Sequence, residues 1–550
     1  MGKLAVLETL AARPLVRRLT DVVMGRFAAH RTAQLDRRSA AKSQQHTLLR
    51  LVRYARRTRF GLDHDFDGIR TVADYQRRVP LRTYESFWTD YWRAPFPYLD
   101  NVSWPDRIPY FALSSGTTSG ATKYIPVSRQ MLASNQRAAL TTLSLFLAAH
   151  PGTPLFTGRL FFLGGSTDLR DLSADRRDGR LGYPPDRRAA RRYVASGDAS
   201  VPCPILAGDL SGITVREASP LLRPFAFPPE KLALGNDWDE KMRLLVEAAV
   251  HLPITMLSGV PSWLLVLFDR LKQQTGRERI TDIWPDLRLV IHGGTKFDPY
   301  RALFRRIVGN PAVRFLETYP ASEGFIATED PRHGLLRLIP DHDIFFEFVP
   351  VADLKVAHPA RHIVANLETG VQYALVLTTC AGLWSYVLGD TVCFERRDPP
   401  LLRFSGRTRY FLSAFGEHVI SEEAEAAITA AANVSGTVVV DFHVGPLFPA
   451  NPNRPGRHRW FVEFAETICP DILARFTREL DDVLRRLNED YRAHRGGDLA
   501  MLAPEVCPVP RGGFAEWMRS RGRLGGQNKV PRMDNSGKIT EQLARFFHFV

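Results

Sequence analysis

The chain has few cysteines and no long apolar run, and each shortage narrows the class of protein. Its 550 residues include five cysteines, none of them in a Cys-x-x-Cys pair. We therefore expect reduced cysteines in a cytoplasmic protein, with neither a disulfide framework nor a zinc site. No apolar run reaches the roughly 18 residues of a membrane span, and Glu8 and Arg13 interrupt the weakly apolar N-terminus. This pattern argues against a secretory signal and a membrane partner, and it predicts an amphipathic helix lying on the body of the protein.

Acidic residues are also in the minority, which raises the question of a nucleic-acid partner. Lys and Arg number 73 against 59 Asp and Glu, which gives a formal net charge of +14 and a pI near 9.7. The arginines are spread along the chain, and no helix-turn-helix, zinc-finger or RNA-recognition signature accompanies them. We therefore expect no specific nucleic-acid partner. A general attraction for polyanions is the most that this charge implies.

What the chain does contain is a dense cluster of hydroxyl side chains in the segment LSSGTTSGATKYIPV, residues 113–127. Glycines let backbone amides turn toward one point and hydroxyls add donors without bulk, a pattern typical of a polyphosphate-binding loop. It is not a P-loop, because Ala121 and Thr122 separate Gly120 from Lys123. The apolar runs on either side predict that the loop joins a β-hairpin; a flexible surface turn is the alternative. The candidate phosphate-binding residues are Ser114, Ser115, Gly116, Thr117, Thr118 and Ser119.

Apolar strands alternate with helical segments, which predicts an α/β fold. Strands are expected at 159–164, 287–292, 344–349 and 373–379, and helices at 261–274 and from a Ser128 cap to about His150. The composition becomes rich in proline and arginine near residue 400. Beyond it, strands at 436–444 and 459–465 precede an amphipathic helix that begins at Pro470. We therefore predict a large N-terminal domain, residues 1–405, and a smaller C-terminal α/β domain, residues 406–550.

Three further segments carry polar residues in patterns that suit a nucleotide. HGGTKFDPY (292–300) places Gly294 after a strand, where a flat ring could approach the backbone. ETYPASEGFIA (317–327) sets Tyr319 four residues before Glu323, an aromatic that could stack on a base and a carboxylate that could hold Mg²⁺. YVLGDTVCF (386–394) presents Asp390, which suits ribose hydroxyls. Each motif alone also has an ordinary explanation as a turn or a capping residue.

The order of these motifs resembles that of the adenylate-forming enzymes, and within them the auxin-responsive Gretchen-Hagen family of acyl acid amido synthetases. The resemblance runs from about Gln45 to Arg532. It rests on the stretch TRFG…VADYQRRVPLRTYESF (58–87), SSGTTSGATKYIP, SGVPSW (258–263), TYPASEG, YVLGD, the RFSGRTRYFLS junction and GGQNKVPR (525–532). It implies a large N-terminal adenylate-forming domain with mixed sheets flanked by helices, and a mobile C-terminal domain that turns about Gly406-Arg407.

The resemblance also implies a two-step ligase that uses ATP and Mg²⁺. A carboxylic acid attacks the α-phosphate of ATP to give an acyl adenylate and pyrophosphate, and an amino acid or other amine then forms the amide and releases AMP. Glu323 would hold the metal, and Lys529 would bring a mobile positive charge. The implied adenine and ribose residues are Gly294, Thr318, Tyr319, Asp390 and Arg407, and the implied acyl-binding residues are Val260 and Trp263.

Two departures from the family pattern leave alternatives open. The family's usual lysine after the junction is absent, and His418 stands near that place. Lys538, in NSGKI, resembles the terminal lysine motif of acyl-CoA synthetases and competes with Lys529. An acyl-CoA synthetase and a nucleotide-binding protein without turnover therefore remain as rivals. The acid and the amine are open, and the family expectation is a monomer.

Overall fold

The computed structural model describes most of the chain. The described residues are 13–114, 123–164, 169–173, 204–217, 222–229, 232, 238–294, 297–354, 356–407, 411–412, 414–415, 417, 419–449, 455–488, 491–492, 495, 501–521 and 530–549.

Strands supply the framework of the molecule. In chain order they are β1 (Tyr110–Ser114), β2 (Lys123–Val127), β3 (Arg159–Phe162), β4 (Arg170–Asp171), β5 (Leu206–Gly208), β6 (Ala226–Phe227), β7 (Ile254–Gly259), β8 (Leu289–Gly293), β9 (Arg314–Ala321), β10 (Gly324–Asp330), β11 (Leu335–Leu338), β12 (Ile344–Pro350), β13 (Gln372–Thr379), β14 (Tyr386–Arg396), β15 (Leu401–Arg407), β16 (Phe411–Leu412), β17 (Val419–Ile420), β18 (Val439–Leu447), β19 (Arg457–Phe464) and β20 (Glu505–Val509).

Helices cover these strands. In chain order they are α1 (Pro14–Arg37), α2 (Ala40–Ala55), α3 (Arg59–Asp63), α4 (Val72–Arg78), α5 (Tyr84–Phe87), α6 (Arg129–Ala149), α7 (Leu210–Arg216), α8 (Trp238–Ala249), α9 (Pro261–Thr275), α10 (Ile280–Ile283), α11 (Asp298–Val308), α12 (Ser421–Ser435), α13 (Pro470–Leu487), α14 (Gly513–Ser520) and α15 (Lys538–Phe546). Short 3₁₀ turns lie at Phe66–Gly68 and Val351–Asp353, and a π-turn lies at Trp88–Trp92.

The large sheet combines parallel and antiparallel strands, so that the expectation of mixed sheets is confirmed. Within the described residues its order is β12-β13-β14-β15-β11-β10-β9-β8-β7-β3-β6. Strands β9, β8, β7, β3 and β6 pair in parallel. The other part of the sheet, which runs from β9 to β12 in the order just given, is antiparallel. The central parallel strands β7 and β8 are mostly apolar and buried, as strands covered on both faces must be. Their carboxyl ends lie at one edge, where open α/β sheets bind ligands.

A second sheet, in the order β2-β1-β5-β4, carries the hydroxyl-rich loop. Helix α6 follows it directly and begins where the sequence predicts, because the Ser128 Oγ accepts the Met131 backbone N–H at 3.0 Å. The predicted strands at 159–164, 287–292, 344–349 and 373–379 are confirmed as β3, β8, β12 and β13, and the helix at 261–274 as α9.

The C-terminal part has a hydrophobic core of its own, formed between Leu412 and Met533. Strands β18, β19 and β20 make a separate sheet there, and helices α12 and α13 pack against each other. Strand β15, which ends at Arg407, still belongs to the large sheet. Ion pairs bridge the two parts, among them Arg306 with Glu466 at 2.9 Å. The division at residues 405 and 406 stays a prediction.

Candidate active site

Strands β1 and β2 form the hairpin that the sequence predicts. Ser114 pairs with Lys123 at the end next to the connecting loop. The Lys123 Nζ lies 5.4 Å from the centroid of the Tyr84 ring, and the Tyr124 N–H donates to the Tyr84 hydroxyl at 2.9 Å. Tyr84 thus ties the second strand of the hairpin to helix α5 and holds a lysine beside the loop. Outside the described residues lie the predicted phosphate ligands Ser115, Gly116, Thr117, Thr118 and Ser119.

The two glycines after β8 lie against the neighbouring strand. Gly293 is in register with Thr318 on β9. A Cβ atom at Gly293 would stand 2.6 Å from the Thr318 carbonyl oxygen, so only glycine fits there. The Thr318 Oγ1 donates to the His292 carbonyl at 3.0 Å. Gly294 follows with φ of +78°. Two predicted adenine-site residues, Gly294 and Thr318, therefore lie at neighbouring strand ends, with little side-chain bulk to keep a flat ring from the backbone.

Tyr319 and Asp390 are brought into direct contact. The Tyr319 hydroxyl donates to Asp390 Oδ2 at 2.8 Å, and both residues are buried. The Tyr319 ring also lies edge-on to Phe404, with centroids 5.4 Å apart. Asp390 is in register with Arg407 on β15; the Arg407 side chain lies outside the described atoms. The sequence predicted both Tyr319 and Asp390 at a nucleotide site, but it did not predict the bond between them.

Glu323 is a buried carboxyl in the turn between β9 and β10, 7 % exposed. The Tyr386 hydroxyl donates to its Oε1 at 3.2 Å. Burial raises the pKa of Glu323 and the nearby charge of Asp390 raises it further, while Lys123 and the bond from Tyr386 act in the opposite direction. Burial and the Glu323 charge in turn hold the pKa of Tyr386 well above its ordinary value, so that this hydroxyl remains a donor.

Tyr386, Tyr84 and Lys123 are site residues that the sequence analysis did not assign. A signal for Tyr386 was available, because it opens the YVLGD motif four residues before Asp390. Tyr84 lies in the stretch 58–87 that carries the resemblance, but its hydrogen bond to β2 is visible only in the fold.

The predicted acyl-binding residues lie at the next strand along the sheet. Val260 directly follows β7, whose Gly259 pairs with His292 on β8. The Val260 carbonyl accepts the Trp263 N–H at 3.0 Å in the first turn of α9. Trp263 is half-buried against the core under that helix. Val260 and Trp263 are thus neighbours at the carboxyl edge of the parallel strands, and their acyl-binding role stays a prediction.

The two candidate lysines of the C-terminal part differ in what the structure describes. Lys529 and His418 lie outside the described residues. Val530, which directly follows Lys529, is buried in a cluster with Trp517. Lys538 is exposed and begins helix α15, with its backbone N–H donating to the Ser536 Oγ at 3.4 Å. The choice between Lys529 and Lys538 stays open on these contacts.

The donor set around Glu323 fits a magnesium ion held together with a nucleotide. In the described part of the chain, no group of three or more His, Cys, Asp or Glu residues is placed to hold a metal. Mg²⁺ usually takes one or two carboxylates and completes its shell with phosphates and water. Glu323, with Asp390 close by, meets that requirement.

Across the same described segments, no helix has both the length and the apolar character that crossing a membrane requires.

The family comparisons agree with this arrangement. The GH3 family N-terminal domain matches residues 30–168, the central domain matches 337–407, and the C-terminal domain matches 422–538. An indole-3-acetic acid-amido synthetase of Arabidopsis thaliana, GH3.4, is 24% identical over 532 residues. The aligned region covers 85% of each of the two chains. A second such synthetase, GH3.8 of Oryza sativa subsp. indica, is 25% identical over 541 residues, covering 87% of this chain and 85% of its own.

Solved structures share the fold. The GH3.15 acyl acid amido synthetase superposes with a TM-score of 0.73 at 17% identity, over 94% of each chain. A 2-hydroxyisobutyryl-CoA ligase in the postadenylation state gives 0.57 at 13% identity, over 93% of this chain and 92% of its own. The three family matches lie in chain order and together span more than half of the sequence. The chain belongs to the GH3 family and has the adenylate-forming fold.

Proposed function

We propose that this chain is an ATP-dependent acyl acid amido synthetase that joins a carboxylic acid to an amino acid or another amine. The observation that carries the proposal is the buried pair of contacts Tyr319–Asp390 and Tyr386–Glu323 beside the strand ends of β8 and β9. These contacts bring a ring and two buried carboxyl groups together in a chain of the GH3 family, which supports assigning Asp390 to the ribose and Glu323 to the metal.

The nucleotide half of the site follows from these positions. The adenine would lie against Gly294 and Thr318, where a Cβ at Gly293 would not fit. The Asp390 carboxylate would accept the ribose hydroxyls while the Tyr319 hydroxyl fixes its orientation. Arg407, in register with Asp390, would extend the same wall. The phosphates would pass to the loop that begins at Ser114 and includes Ser115, Gly116, Thr117, Thr118 and Ser119.

Glu323 is the residue proposed to hold Mg²⁺, which supplies charge neutralisation to the phosphates when bound. Its buried carboxyl needs a cation or a donor, and Tyr386 and Lys123 supply these within the protein. Nucleotidyl transfer depends on positioning and charge neutralisation more than on covalent help. The acid carboxylate attacks the α-phosphorus of ATP, and pyrophosphate leaves. Lys529, from the C-terminal domain, would stabilise the negative charge of that step.

The second step completes the amide. The acceptor amine attacks the acyl carbonyl of the adenylate, the bond to the AMP oxygen breaks, and the amine proton leaves to solvent or buffer. The acyl group would lie near Val260 and Trp263 at the end of β7. We propose a monomer in the cytoplasm, as expected for this class of enzyme.

A matrix of acids and amines, scored for AMP and for the coupled product, tests the proposal. CoA is included as one acceptor, because an acyl-CoA synthetase shares the fold and would release AMP with CoA instead. The proposal predicts AMP that depends on both an acid and an amino acid. Exchange of labelled pyrophosphate into ATP tests adenylation alone, and its absence with every acid would favour a binding protein without turnover.

Variants connect the activity to the assigned residues. Glu323→Ala and Lys529→Ala should abolish pyrophosphate exchange while the thermal unfolding profile keeps its shape. Lys538→Ala is the matched control, since it removes an exposed lysine from the same C-terminal part. Exchange at the wild-type rate in Glu323→Ala and Lys529→Ala would refute both assignments, and loss of exchange in Lys538→Ala alone would move the mobile charge to that lysine.

A further inference from the structure

Helix α1 is attached to the protein by charged groups as well as by apolar residues such as Ala28 and Met24. The Arg17 guanidinium donates to the Gly158 carbonyl at 2.6 Å. One oxygen of Asp21 accepts two backbone N–H groups, at 2.9 and 2.8 Å, from the segment after α6. Nearly three turns further on, Arg31 donates both of its terminal nitrogens to Asp341, at 2.7 and 2.8 Å. Charged groups therefore fix this helix to the protein at several turns, which is unusual for the inward side of a surface helix.

The outward face of the same helix is apolar. Its large side chains are 42–80 % exposed, and their spacing of three and four residues places them along one stripe. They form the outer apolar stripe: Leu15, Leu19, Val22, Val23 and Phe27. A surface helix normally buries such a stripe against the protein. The amphipathic helix expected at the N-terminus stays a prediction, because residues 1–12 lie outside the described residues. A contiguous exposed apolar patch of this kind indicates an interaction surface.

The charges on this face all have one sign. Arg13, Arg18 and Arg26 are exposed, and among the residues that the structure describes no carboxylate lies within ion-pair distance of them. The only acidic residue between positions 13 and 30 is Asp21, which points inward to backbone N–H groups. Among the described residues of this helix, the exposed charged side chains near the outer apolar stripe are therefore arginines.

We propose that the outer face of helix α1 binds the surface of an anionic phospholipid bilayer. The helix would lie in the plane of the membrane, with the outer apolar stripe in the headgroup region and the arginines at lipid phosphates. A second copy of the chain fits this face less well, because a two-fold interface would place the same arginines opposite one another. This surface role is independent of the proposed enzymatic function, and it revises the expectation of no membrane partner.

Sedimentation with lipid vesicles tests the proposal on the full chain. Vesicles of phosphatidylcholine alone are compared with vesicles that contain an equal part of phosphatidylglycerol. We expect binding only to the anionic vesicles. The variant Leu19→Asp with Val23→Asp should lose more than tenfold in partition coefficient, since it puts two charges in the stripe. The variant Arg18→Gln with Arg26→Gln should lose roughly 30-fold, because each arginine near an anionic surface is worth about fivefold.

Two matched control variants test whether vesicle binding depends on this face or on the general positive charge of the protein. Leu62→Asp with Val356→Asp adds the same charges at exposed apolar positions elsewhere. Arg475→Gln with Arg478→Gln removes the same charge from helix α13. Both controls should bind as the wild type does, and all variants should keep the wild-type unfolding temperature.

Three outcomes would overturn the proposal: no binding of the wild type to anionic vesicles, equal loss in the controls, or unaltered binding of the Leu19 and Val23 variant. Sedimentation velocity then shows whether the partner of this face is a second copy of the chain. A wild-type dimer that the same variant dissociates, without vesicle binding, would assign this face to a second copy of the chain instead.

Discussion

Replacing Tyr386 by phenylalanine removes one hydroxyl from the proposed metal site and leaves its ring in place. That hydroxyl donates to the Glu323 carboxyl at 3.2 Å, and Tyr386 is 1 % exposed, so water does not readily replace the lost donor. A hydrogen bond to a buried charged group is worth about 1.5–3 kcal/mol. We therefore expect kcat/KM for acid-dependent pyrophosphate exchange to fall roughly 10- to 150-fold.

The pH dependence of the same variant gives a second readout. The bond from Tyr386 lowers the pKa of Glu323, against burial, which raises it. Without the bond the pKa of Glu323 rises further, so the carboxylate form is lost at a higher pH as the solution is acidified. The acidic limb of the exchange-rate profile should shift to higher pH, and the Mg²⁺ concentration for half-maximal rate should increase.

Tyr373→Phe is the matched control for this experiment. Tyr373 is equally buried on the neighbouring strand β13, and its hydroxyl accepts the Glu368 N–H at 2.9 Å, a bond of similar length that does not involve Glu323. It should change stability without changing the pH limb or the Mg²⁺ dependence. If Tyr386→Phe keeps the wild-type pH profile and Mg²⁺ dependence, the proposed link between Tyr386 and the metal site is refuted.

Three more perturbations follow from the structure. Tyr319→Phe removes the donor to Asp390, and we expect a KM for ATP raised roughly tenfold with kcat little changed, measured by exchange kinetics; an unaltered KM would separate Tyr319 from the ribose site. Gly293→Ala places a Cβ against the next strand, and urea denaturation should show a loss of about 1–3 kcal/mol. Hydrogen bonds and charge from Arg332 and a second arginine lower the pKa of Asp36 to about 2. Its contribution to stability is present above its ordinary pKa of 3.8 and is lost as the pH falls through about 2. Because Asp36 is partly exposed, Asp36→Asn should cost at most about 1 kcal/mol near neutral pH and should reduce this acid sensitivity, seen by thermal unfolding across pH.

Local patterns were sufficient for much of the fold. The hairpin β1–β2, the Ser128 cap of helix α6 and the buried strands β8 and β13 follow from hydroxyl, capping and apolar patterns within a few residues of one another. Helix α1 is the instructive exception. Its orientation depends on partners such as Asp341, more than 300 positions away from Arg31.

The candidate site, like the fold, could be predicted from the sequence only in part. Tyr319, Glu323 and Asp390 lie in short motifs, so their participation could be predicted from residue type and spacing. Their mutual contacts could not, because Tyr319 and Asp390 are 71 positions apart and meet only when β9 and β14 take their places in one sheet. Tyr84 lies in a stretch that carries the family resemblance, but its place in the site could not be predicted, since it depends on a hydrogen bond to the backbone of β2.

The most direct test of the proposed chemistry follows the oxygens of the acid. An acid labelled with oxygen-18 in both carboxylate positions is turned over with ATP and an amino acid, and the products are analysed by mass spectrometry. Attack on the α-phosphorus followed by amide formation predicts one heavy oxygen in AMP and one in the amide. Unlabelled AMP, or a product that forms only with CoA, would contradict the account.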